Sequence, residues 1–562
     1  MESDSPGTKS AKRIGPTSRG SSAYPRKRAV IACQVCRARR TKCDQKKPTC
    51  TFCESIGAEC ISDPPALSAF DPASVAIIER LDRIERELNR FTKPPDPWTE
   101  RQSPTQTLSN RRLDHVTQQN LDQILQWPSL QDGHTSVSPQ VQFASPLSSA
   151  TGDRGSLDGT TTDEVFEQVP HTLLIDQFFA HVHNRNPVLD EAKARRLAQD
   201  VHDQGIGRDA SSCLTLLIWA NGAMARPFSA SAPAQESLQR AQASALFSAA
   251  EKRMGPLLTS VGVLQAQCFF FAGVYLMSAL RPADAWRMFL QALAICRTLK
   301  KTINYQEIDA VAAASVYWSA WKSERELNRE LGFSPNYRIS SSDVPQYFPS
   351  LPVDCNGDDL HTWYFYLSEI SAWRLETHVE EELTRFALEG RGGLVALTTV
   401  ADGLMQQVGE WQNSLAPQVS ISDDDNRNDD MLRLIMRART LIIKEMISWP
   451  FVYELVHDGI EIESSAVRQW TAKGLSYHVQ KLLTHSIQFY HRHHGTWLMI
   501  RSCCRSTCVL IAAARSPVAN PLLPSDWRAA VEPALAMICF WRPYVSDLHE
   551  VVEHLQHLYS LC

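Results

Sequence analysis

Apolar residues recur at helical spacing from about residue 166 to residue 562. Arg281-Pro282 separates a long apolar run, Val263 to Leu280, from a second segment with its large apolar residues on one face. Such a pattern predicts two antiparallel helices joined by a short turn. Few stretches alternate apolar and polar residues as strands do, so we expect residues 166–562 to form a large all-α domain.

A much shorter helical pattern lies closer to the N-terminus. Asp71-Pro72 offers a helix N-cap followed by proline at the first helical position. The apolar residues after it are spaced four and three apart, as in a coiled-coil seam: Ile77, Leu81, Ile84, Leu88 and Phe91. We expect residues 63–92 to be a linker and a short coiled-coil dimerisation helix. A lone amphipathic helix packed on the body has a similar pattern and remains the alternative.

Residues 93–165 are rich in Ser, Thr, Gln, Asp and Pro and poor in aromatic residues. Such a segment buries too little apolar surface to offset the entropy of ordering, so we expect a disordered linker. Its one helical pattern, Leu121, Ile124 and Leu125 before Trp127-Pro128, is short enough to be chance; a partner-binding segment is the alternative.

Composition adds an asymmetry of charge to this picture. The chain has 562 residues, 43% of them apolar and 8% aromatic, which is typical of a globular protein with more than one folded unit. Residues 1–60 carry 13 Lys and Arg against 5 Asp and Glu, a net charge of +8 within a chain whose net charge is −5. The basic end is therefore the expected contact for a polyanion. We expect residues 1–28 to be a disordered basic arm, with Arg26, Lys27 and Arg28 as a candidate nuclear-localisation signal.

Neither a membrane span nor a secretion signal is expected. The apolar run from Val263 to Leu280 is interrupted by Gln265 and Gln267, which favours a buried helix, and the first 13 residues contain no apolar segment. We therefore expect an intracellular protein without membrane contact. Its cysteines are then free thiols or metal ligands rather than disulfides.

Six of the 15 cysteines form one spacing unit written twice, C-x2-C-x6-C-x6-C-x2-C-x6-C: Cys33, Cys36, Cys43, Cys50, Cys53 and Cys60. A Cys-x2-Cys turn places two thiolates on one tetrahedral metal ion, and the third cysteine returns to it. A single zinc ribbon would need only four of them. Two tetrahedral ions need eight ligand positions, so two thiolates must bridge, and by symmetry these are the first of each half, Cys33 and Cys50. The spacing predicts a metal-binding domain over residues 29–62.

The two halves of this domain differ in charge. Four basic residues lie in the first half: Arg37, Arg39, Arg40 and Lys42. The corresponding loop of the second half has two glutamates and no basic residue, so only the first half can face phosphate. Arg39 and Arg40 are placed to reach base edges, where a guanidinium can donate two hydrogen bonds to guanine, and Arg37 and Lys42 to contact phosphate. Contacts to phosphate alone, or mere balancing of the cluster's negative charge, remain open.

The cysteine segment resembles the fungal Zn(2)-Cys(6) binuclear cluster DNA-binding domain. The resemblance is carried by Cys36-Arg37-Ala38-Arg39-Arg40-Thr41-Lys42-Cys43 and by Pro48, two residues before the fourth cysteine. It implies two zinc ions per chain, a helix that recognises CGG-type triplets in the major groove of double-stranded DNA, and a homodimer on DNA formed by the coiled coil that follows. The body is similar, less specifically, to the regulatory region of fungal transcription factors, through 281–287 (RPADAWR), 318–332 (WSAWKSERELNRELG) and 491–497 (HRHHGTW).

The expected function is that of a nuclear, sequence-specific regulator of RNA polymerase II genes, acting with the transcription machinery on a metabolic or secondary-metabolite gene cluster. The alternative is a repressor, or a scaffold that uses the cluster mainly for protein contacts. No enzyme is predicted: His549 and His554 are five residues apart, whereas a metalloprotease helix needs four. Cys504 and Cys508 are expected to pack as small apolar groups. The cluster around His493 is interpreted as a helix end or as core histidines.

Overall fold

A computed structural model describes residues 33, 35–36, 39, 41–44, 46, 48–58 and 60, and then 120–131, 170–228, 237–302, 310–332, 345, 348–350, 357–390, 392–421, 429–459, 463–545 and 548–562. The chain divides into two compact units, Met1–Ser103 and Pro104–Cys562. No strand occurs among these residues. The all-α body expected from the periodicity is therefore confirmed for its described part.

The first unit contains one short helix in its described part, α1 (Thr51–Ser55). The helices described in the second unit are α2 (Leu121–Ile124), α3 (His171–His181), α4 (Glu191–Gln204), α5 (Ala210–Met224), α6 (Ser237–Met254), α7 (Val263–Ser278), α8 (Pro282–Thr302), α9 (Ala310–Leu331), α10 (Asp358–Glu389), α11 (Leu394–Asn413), α12 (Met431–Val456), α13 (Ser465–Ser486), α14 (Thr496–Arg515), α15 (Trp527–Trp541) and α16 (Leu548–Ser560).

Local sequence fixes where several of these helices begin and end. Asp190 accepts the backbone N–H of Lys193 at 2.9 Å and so caps α4, and Asp430 caps α12 in the same way. The turn predicted at Arg281-Pro282 is present: Leu280 adopts a φ of 59° after α7, and Pro282 is the first residue of α8. The predicted pair of antiparallel helices is thereby confirmed.

The apolar helices α5, α7 and α14 form the centre of the body. All thirteen residues of α7 from Ala266 to Ser278 are buried, as expected for this run. Within the described part of the chain, α14 is the one helix long and apolar enough to cross a bilayer, but 89% of its apolar window is buried among other helices. A second apolar cluster lies between α10, α11 and α12.

Three charged residues of α9, Lys322, Glu324 and Glu330, are buried between helices instead of facing solvent. Lys322 pairs with Glu369 of α10, and Glu330 accepts a hydrogen bond from Arg505 of α14 at 2.6 Å. Arg505 also lies 3.5 Å from Glu445 of α12. Buried charges are tolerated when they are paired in this way. The ion pairs therefore connect α9, α10, α12 and α14 across the interior.

Residues 120–131 pack on the body and so differ from the disordered linker predicted for 93–165. Five of their side chains are at most 4% exposed: Leu121, Ile124, Leu125, Trp127 and Leu130. Arg501 of α14 donates to Asp122 Oδ1 at 3.2 Å, and His554 Nε2 donates to the Leu130 carbonyl at 2.8 Å. The helix in this segment has only four residues, too few for a clear periodic pattern, and the partners that bury it come from distant parts of the chain. The folded body therefore includes residues that precede the predicted boundary at 166.

Candidate metal centre

The doubled cysteine spacing is matched by a doubled backbone arrangement. The N–H of Thr41 donates to the carbonyl of Cys36 at 3.0 Å, and the N–H of Ala58 donates to the carbonyl of Cys53, also at 3.0 Å. Cys50 is the N-cap residue of α1, the five-residue helix that contains Cys53. Each half thus consists of a Cys-x2-Cys turn that continues into a helical turn. This backbone arrangement brings the two sulfurs of each half close together.

The six sulfur atoms form two groups of four. One group is Cys33, Cys36, Cys43 and Cys50, and the other is Cys33, Cys50, Cys53 and Cys60. Within each group all Sγ atoms lie within 4.8 Å of one another. The groups share Cys33 and Cys50, the two residues that the internal symmetry of the sequence singles out as bridges.

The distances between the sulfurs fit tetrahedral zinc. A Zn–S bond of about 2.3 Å places neighbouring sulfurs of a tetrahedron about 3.8 Å apart. Cys33 Sγ lies 3.8 Å from Cys50 Sγ and 3.5 Å from Cys53 Sγ, and Cys36 Sγ lies 3.6 Å from Cys50 Sγ. The six thiols form two groups of four with two members in common. This arrangement suits two tetrahedral ions that are bridged by the sulfurs of Cys33 and Cys50.

Backbone amides favour the thiolate form of the two shared cysteines. The N–H of Cys36 makes the largest contribution to lowering the pKa of Cys33, and the N–H of Cys53 does the same for the pKa of Cys50. Burial instead raises the pKa of Cys36 to about 12. The backbone therefore stabilises the thiolate form of Cys33 and Cys50, the two residues common to both groups. A thiolate is the form of cysteine that binds a metal ion.

The described basic residues of the first half lie at the surface. Arg39 and Lys42 are exposed, and the N–H of Arg39 donates to the carbonyl of Val35 at 3.0 Å, which fixes its place after the first helical turn. Lys46 forms an exposed ion pair with Glu54 at 3.9 Å, linking the basic half to the acidic half. The basic side chains are therefore accessible to an external partner.

The remaining predicted site residues lie outside the described residues: Arg26, Lys27, Arg28, Arg37, Arg40, Ile77, Leu81, Ile84, Leu88 and Phe91. The structure does not test those predictions.

Two further groups of the body bear on its chemistry. Cys504 and Cys508 are fully buried, and burial raises their pKa values, so they pack as apolar groups as expected; the neighbouring Cys503 does the same. A cavity of about 160 Å³ in the body is lined by residues that include Arg185 and His493. Sequence reasoning did not identify this cavity; its only signal was the histidine cluster, which was interpreted as a helix end or as core histidines.

Comparison with known proteins agrees with the geometry of the cysteines. Residues 31–68 match the family described as the fungal Zn(2)-Cys(6) binuclear cluster domain, which binds two zinc ions. Over 470 residues the chain is 23% identical to ecdB of Aspergillus rugulosus, which is named as a transcription factor; the match covers 77% of this chain and 80% of that protein.

Shorter matches point the same way. The chain is 41% identical over 54 residues to the Zn(2)-C6 fungal-type transcription factor afumD of Aspergillus fumigatus, covering 10% of this chain and 14% of that one. It is 41% identical over 59 residues to the oleate-activated transcription factor 1 of Saccharomyces cerevisiae, covering 10% and 6%. No solved structure matches the chain.

Proposed function

We propose that this chain, a DNA-binding transcription regulator with a Zn(2)-Cys(6) domain, recognises CGG-type triplets as a homodimer in the nucleus and regulates RNA polymerase II genes. The observation that carries the proposal is the sharing of Cys33 and Cys50 by two groups of four sulfurs. A single zinc ribbon has no shared ligands, whereas a two-ion cluster with six thiolates requires two of them.

In this proposal all six cysteines of the repeat hold zinc, with Cys33 and Cys50 in contact with both ions. Bound zinc cross-links the two halves of the domain and so replaces a hydrophobic core. The described core of this unit supports that role, because its fully buried apolar residues are the cysteines themselves. A segment this short cannot bury enough apolar surface to fold alone.

The basic half supplies the contacts to DNA. Arg39 and Arg40 donate to the O6 and N7 acceptors of guanine in the major groove, while Arg37 and Lys42 bind phosphate. The exposure of Arg39 and Lys42 supports these roles. The second half, with its two glutamates, faces away from the phosphates.

Binding of DNA is tested with the full-length, zinc-loaded protein and two duplexes that differ only in their CGG triplets. Fluorescence anisotropy should show that the wild type prefers CGG. Arg40→Ala should lose about 1–3 kcal/mol on CGG and little on the altered triplet. Lys42→Ala should weaken binding to both duplexes equally and reduce the salt dependence by about one phosphate contact.

Each part of the proposal can fail separately in this experiment. Equal losses on both duplexes for Arg39→Ala and Arg40→Ala would identify phosphate contacts instead of base readers. Absence of any preference for CGG in the wild type would reject the triplet. A zinc-loaded protein that binds no duplex at all would favour the scaffold.

Assembly on DNA is proposed to use the seam Ile77, Leu81, Ile84, Leu88 and Phe91, whose spacing is that of a coiled coil. Because two heptads are marginal in water, DNA supplies part of the association energy. Replacing Leu81 and Leu88 with Asn should abolish cooperative binding to paired triplets while preserving binding to a single one. If the wild type gains nothing from the second triplet, it acts as a monomer.

The proposed targets are genes of a metabolic or secondary-metabolite cluster. Relatives that include the oleate-activated transcription factor 1 of Saccharomyces cerevisiae support a metabolic role. Genome-wide occupancy together with the transcript profile of a deletion strain tests this assignment. Occupied promoters whose genes share no metabolic pathway would contradict it.

A further inference from the structure

The cavity of about 160 Å³ is a half-open cleft of the helical body, between α9, α10, α12 and the segment that joins α13 to α14. A cavity of about this volume is large enough for a benzene-sized molecule. One part of its wall is apolar and includes Phe365, Ile435, Ile442, Leu498 and Met499. Another part is polar, as ligand sites with a few orienting polar groups are.

Four buried polar atoms in this wall have no hydrogen-bond partner among the described residues: Arg185 Nε, Asn186 Oδ1, Gln488 Oε1 and Ser502 Oγ. The residues that carry them are at most 7% exposed. Buried polar groups in proteins are almost always paired. Four residues of this wall therefore carry a polar atom that no described protein atom satisfies.

His493 contributes a further donor to the same wall. Its Nδ1 accepts the backbone N–H of Gly495 at 2.9 Å, which leaves the proton of the neutral ring on Nε2. Nε2 is buried and has no partner among the described residues. Burial lowers the pKa of His493 and of His494 well below the usual value, so both rings are neutral at pH 7.

The charges around the cavity do not balance. Three cations and two carboxylates line it: Arg185, Lys322, Arg439, Glu326 and Glu369. Within the wall, Lys322 pairs with Glu369 and Arg439 with Glu326. Behind the wall, Glu376 lies 3.4 Å from Arg439, but it also pairs with Arg329. Arg185 has no ion-pair partner in the described part of the chain. Burial lowers the pKa of Arg185 to about 10, which still leaves it charged at pH 7. The wall therefore carries one positive charge in excess.

We propose that this cavity binds a small organic monocarboxylate. The carboxylate accepts hydrogen bonds from Arg185 and His493, and the apolar remainder of the molecule packs against Phe365 and Met499. A single negative charge balances the single excess cation. A phosphate group carries about −1.5 to −2 at pH 7 and would exceed that balance. The site does not depend on the DNA-binding proposal.

Thermal unfolding of the full-length, zinc-loaded protein tests this site with defined probes. Millimolar benzoate or 3-methylbutanoate should raise the unfolding midpoint of the helical body by several degrees in a saturable manner. The midpoint should not rise with the neutral isosteres benzamide and 3-methylbutanamide or with inorganic phosphate.

Arg185→Gln distinguishes ligand binding from a structural role for the arginine. Since it removes an unpaired buried charge, it should raise the midpoint without ligand and abolish the response to benzoate. Arg208→Gln, at an exposed position outside the cavity, should change neither the midpoint without ligand nor the response to benzoate. If Arg185→Gln does not fold, His493→Gln provides the second test, since it changes the other proposed donor and should weaken benzoate binding several-fold by calorimetry.

Four results would overturn the proposal. They are the absence of any rise of the midpoint with either carboxylate, a rise that persists in Arg185→Gln, the same rise with benzamide as with benzoate, and stabilisation by phosphate alone. A fall in the midpoint of Arg185→Gln, with no response of the wild type to the carboxylates, would show a structural arginine and a cavity that holds only water.

Discussion

Cys33 and Cys50 differ from the other four cysteines of the repeat because each belongs to both groups of sulfurs. Cys43 belongs to only one group, and so does Cys60. Loss of a shared ligand therefore affects both metal positions, whereas loss of an unshared ligand affects one. This difference distinguishes a cluster in which Cys33 and Cys50 bridge both ions from two independent metal sites with no ligand in common.

The zinc content of single variants measures the difference. Elemental analysis of the full-length wild type should give two zinc ions per chain. Cys50→Ser should lose both ions, while Cys43→Ser should retain more zinc than Cys50→Ser does. Cys562→Ser, in a half-buried cysteine of the body, is the control and should keep both. Equal retention by Cys50→Ser and Cys43→Ser would contradict the sharing of Cys50.

The crossing of α3 and α5 depends on the absence of a side chain at Gly222. A Cβ at this position would lie 2.0 Å from the carbonyl oxygen of Leu174, a backbone atom that cannot rotate away. At Gly403 in α11, a Cβ would meet nothing within 4 Å. Two helical glycines of the same body thus have opposite structural roles.

Alanine substitutions at these two glycines should have opposite effects on stability. Gly222→Ala should destabilise the body by about 1–3 kcal/mol because the two helices must move apart. Gly403→Ala should stabilise it by roughly 0.5–1 kcal/mol, since alanine loses less entropy in a helix. Urea unfolding followed by circular dichroism measures both. A neutral Gly222→Ala would show that α3 can shift without cost.

Trp127 is the largest of the five buried side chains that hold the segment 120–131 on the body. The Trp127 ring lies 5.7 Å from that of Trp449 and is edge-on to Tyr453 at 5.8 Å, both in α12. Trp127 is 3% exposed, although α2, which precedes it, has only four residues. Such a helix is unstable alone, so packing holds it in place.

Trp127→Ala should therefore release this segment. We expect a loss of about 3–5 kcal/mol in the free energy of unfolding, as for other large buried side chains, and faster proteolysis between residues 120 and 131. Gln123→Ala, at an exposed position of α2, is the matched control and should change stability little. Unchanged proteolysis of Trp127→Ala would mean that the other buried side chains and the polar contacts hold the segment without Trp127.

The body as a whole keeps many histidines neutral. Burial lowers the pKa of His183 and His491 to about 4 and that of His478 and His485 to about 3. In the unfolded chain a histidine titrates near pH 6.5. Below that pH the unfolded state binds protons that the folded state does not, so acid favours unfolding.

Stability should therefore fall as the pH is lowered from about 6.5 towards 4. Each of these histidines contributes up to about 1.4 kcal/mol per pH unit within the window between its two pKa values. The unfolding midpoint measured between pH 7.5 and pH 5 gives the slope. His485→Gln should make it shallower, whereas His549→Gln, at an exposed position, should not. A flat profile down to pH 5 would show that these side chains are hydrated.

The cysteine cluster and the helical class followed from the sequence alone because both depend on local spacing. Thiolates three and seven residues apart can reach one ion whatever the rest of the chain does, and helical periodicity is a property of each segment. The turn at Arg281-Pro282 was predictable for the same reason.

Other features depended on partners that are remote in the chain. The charges of α9 have the pattern of a solvated face, yet Glu330 is buried against Arg505. The segment around Trp127 resembles a linker until α12 and α14 cover it. The cavity beside Arg185 combines residues from five parts of the chain, none with a motif of its own. Only tertiary structure decided these features, because burial and the pairing of charges are determined by which helices meet.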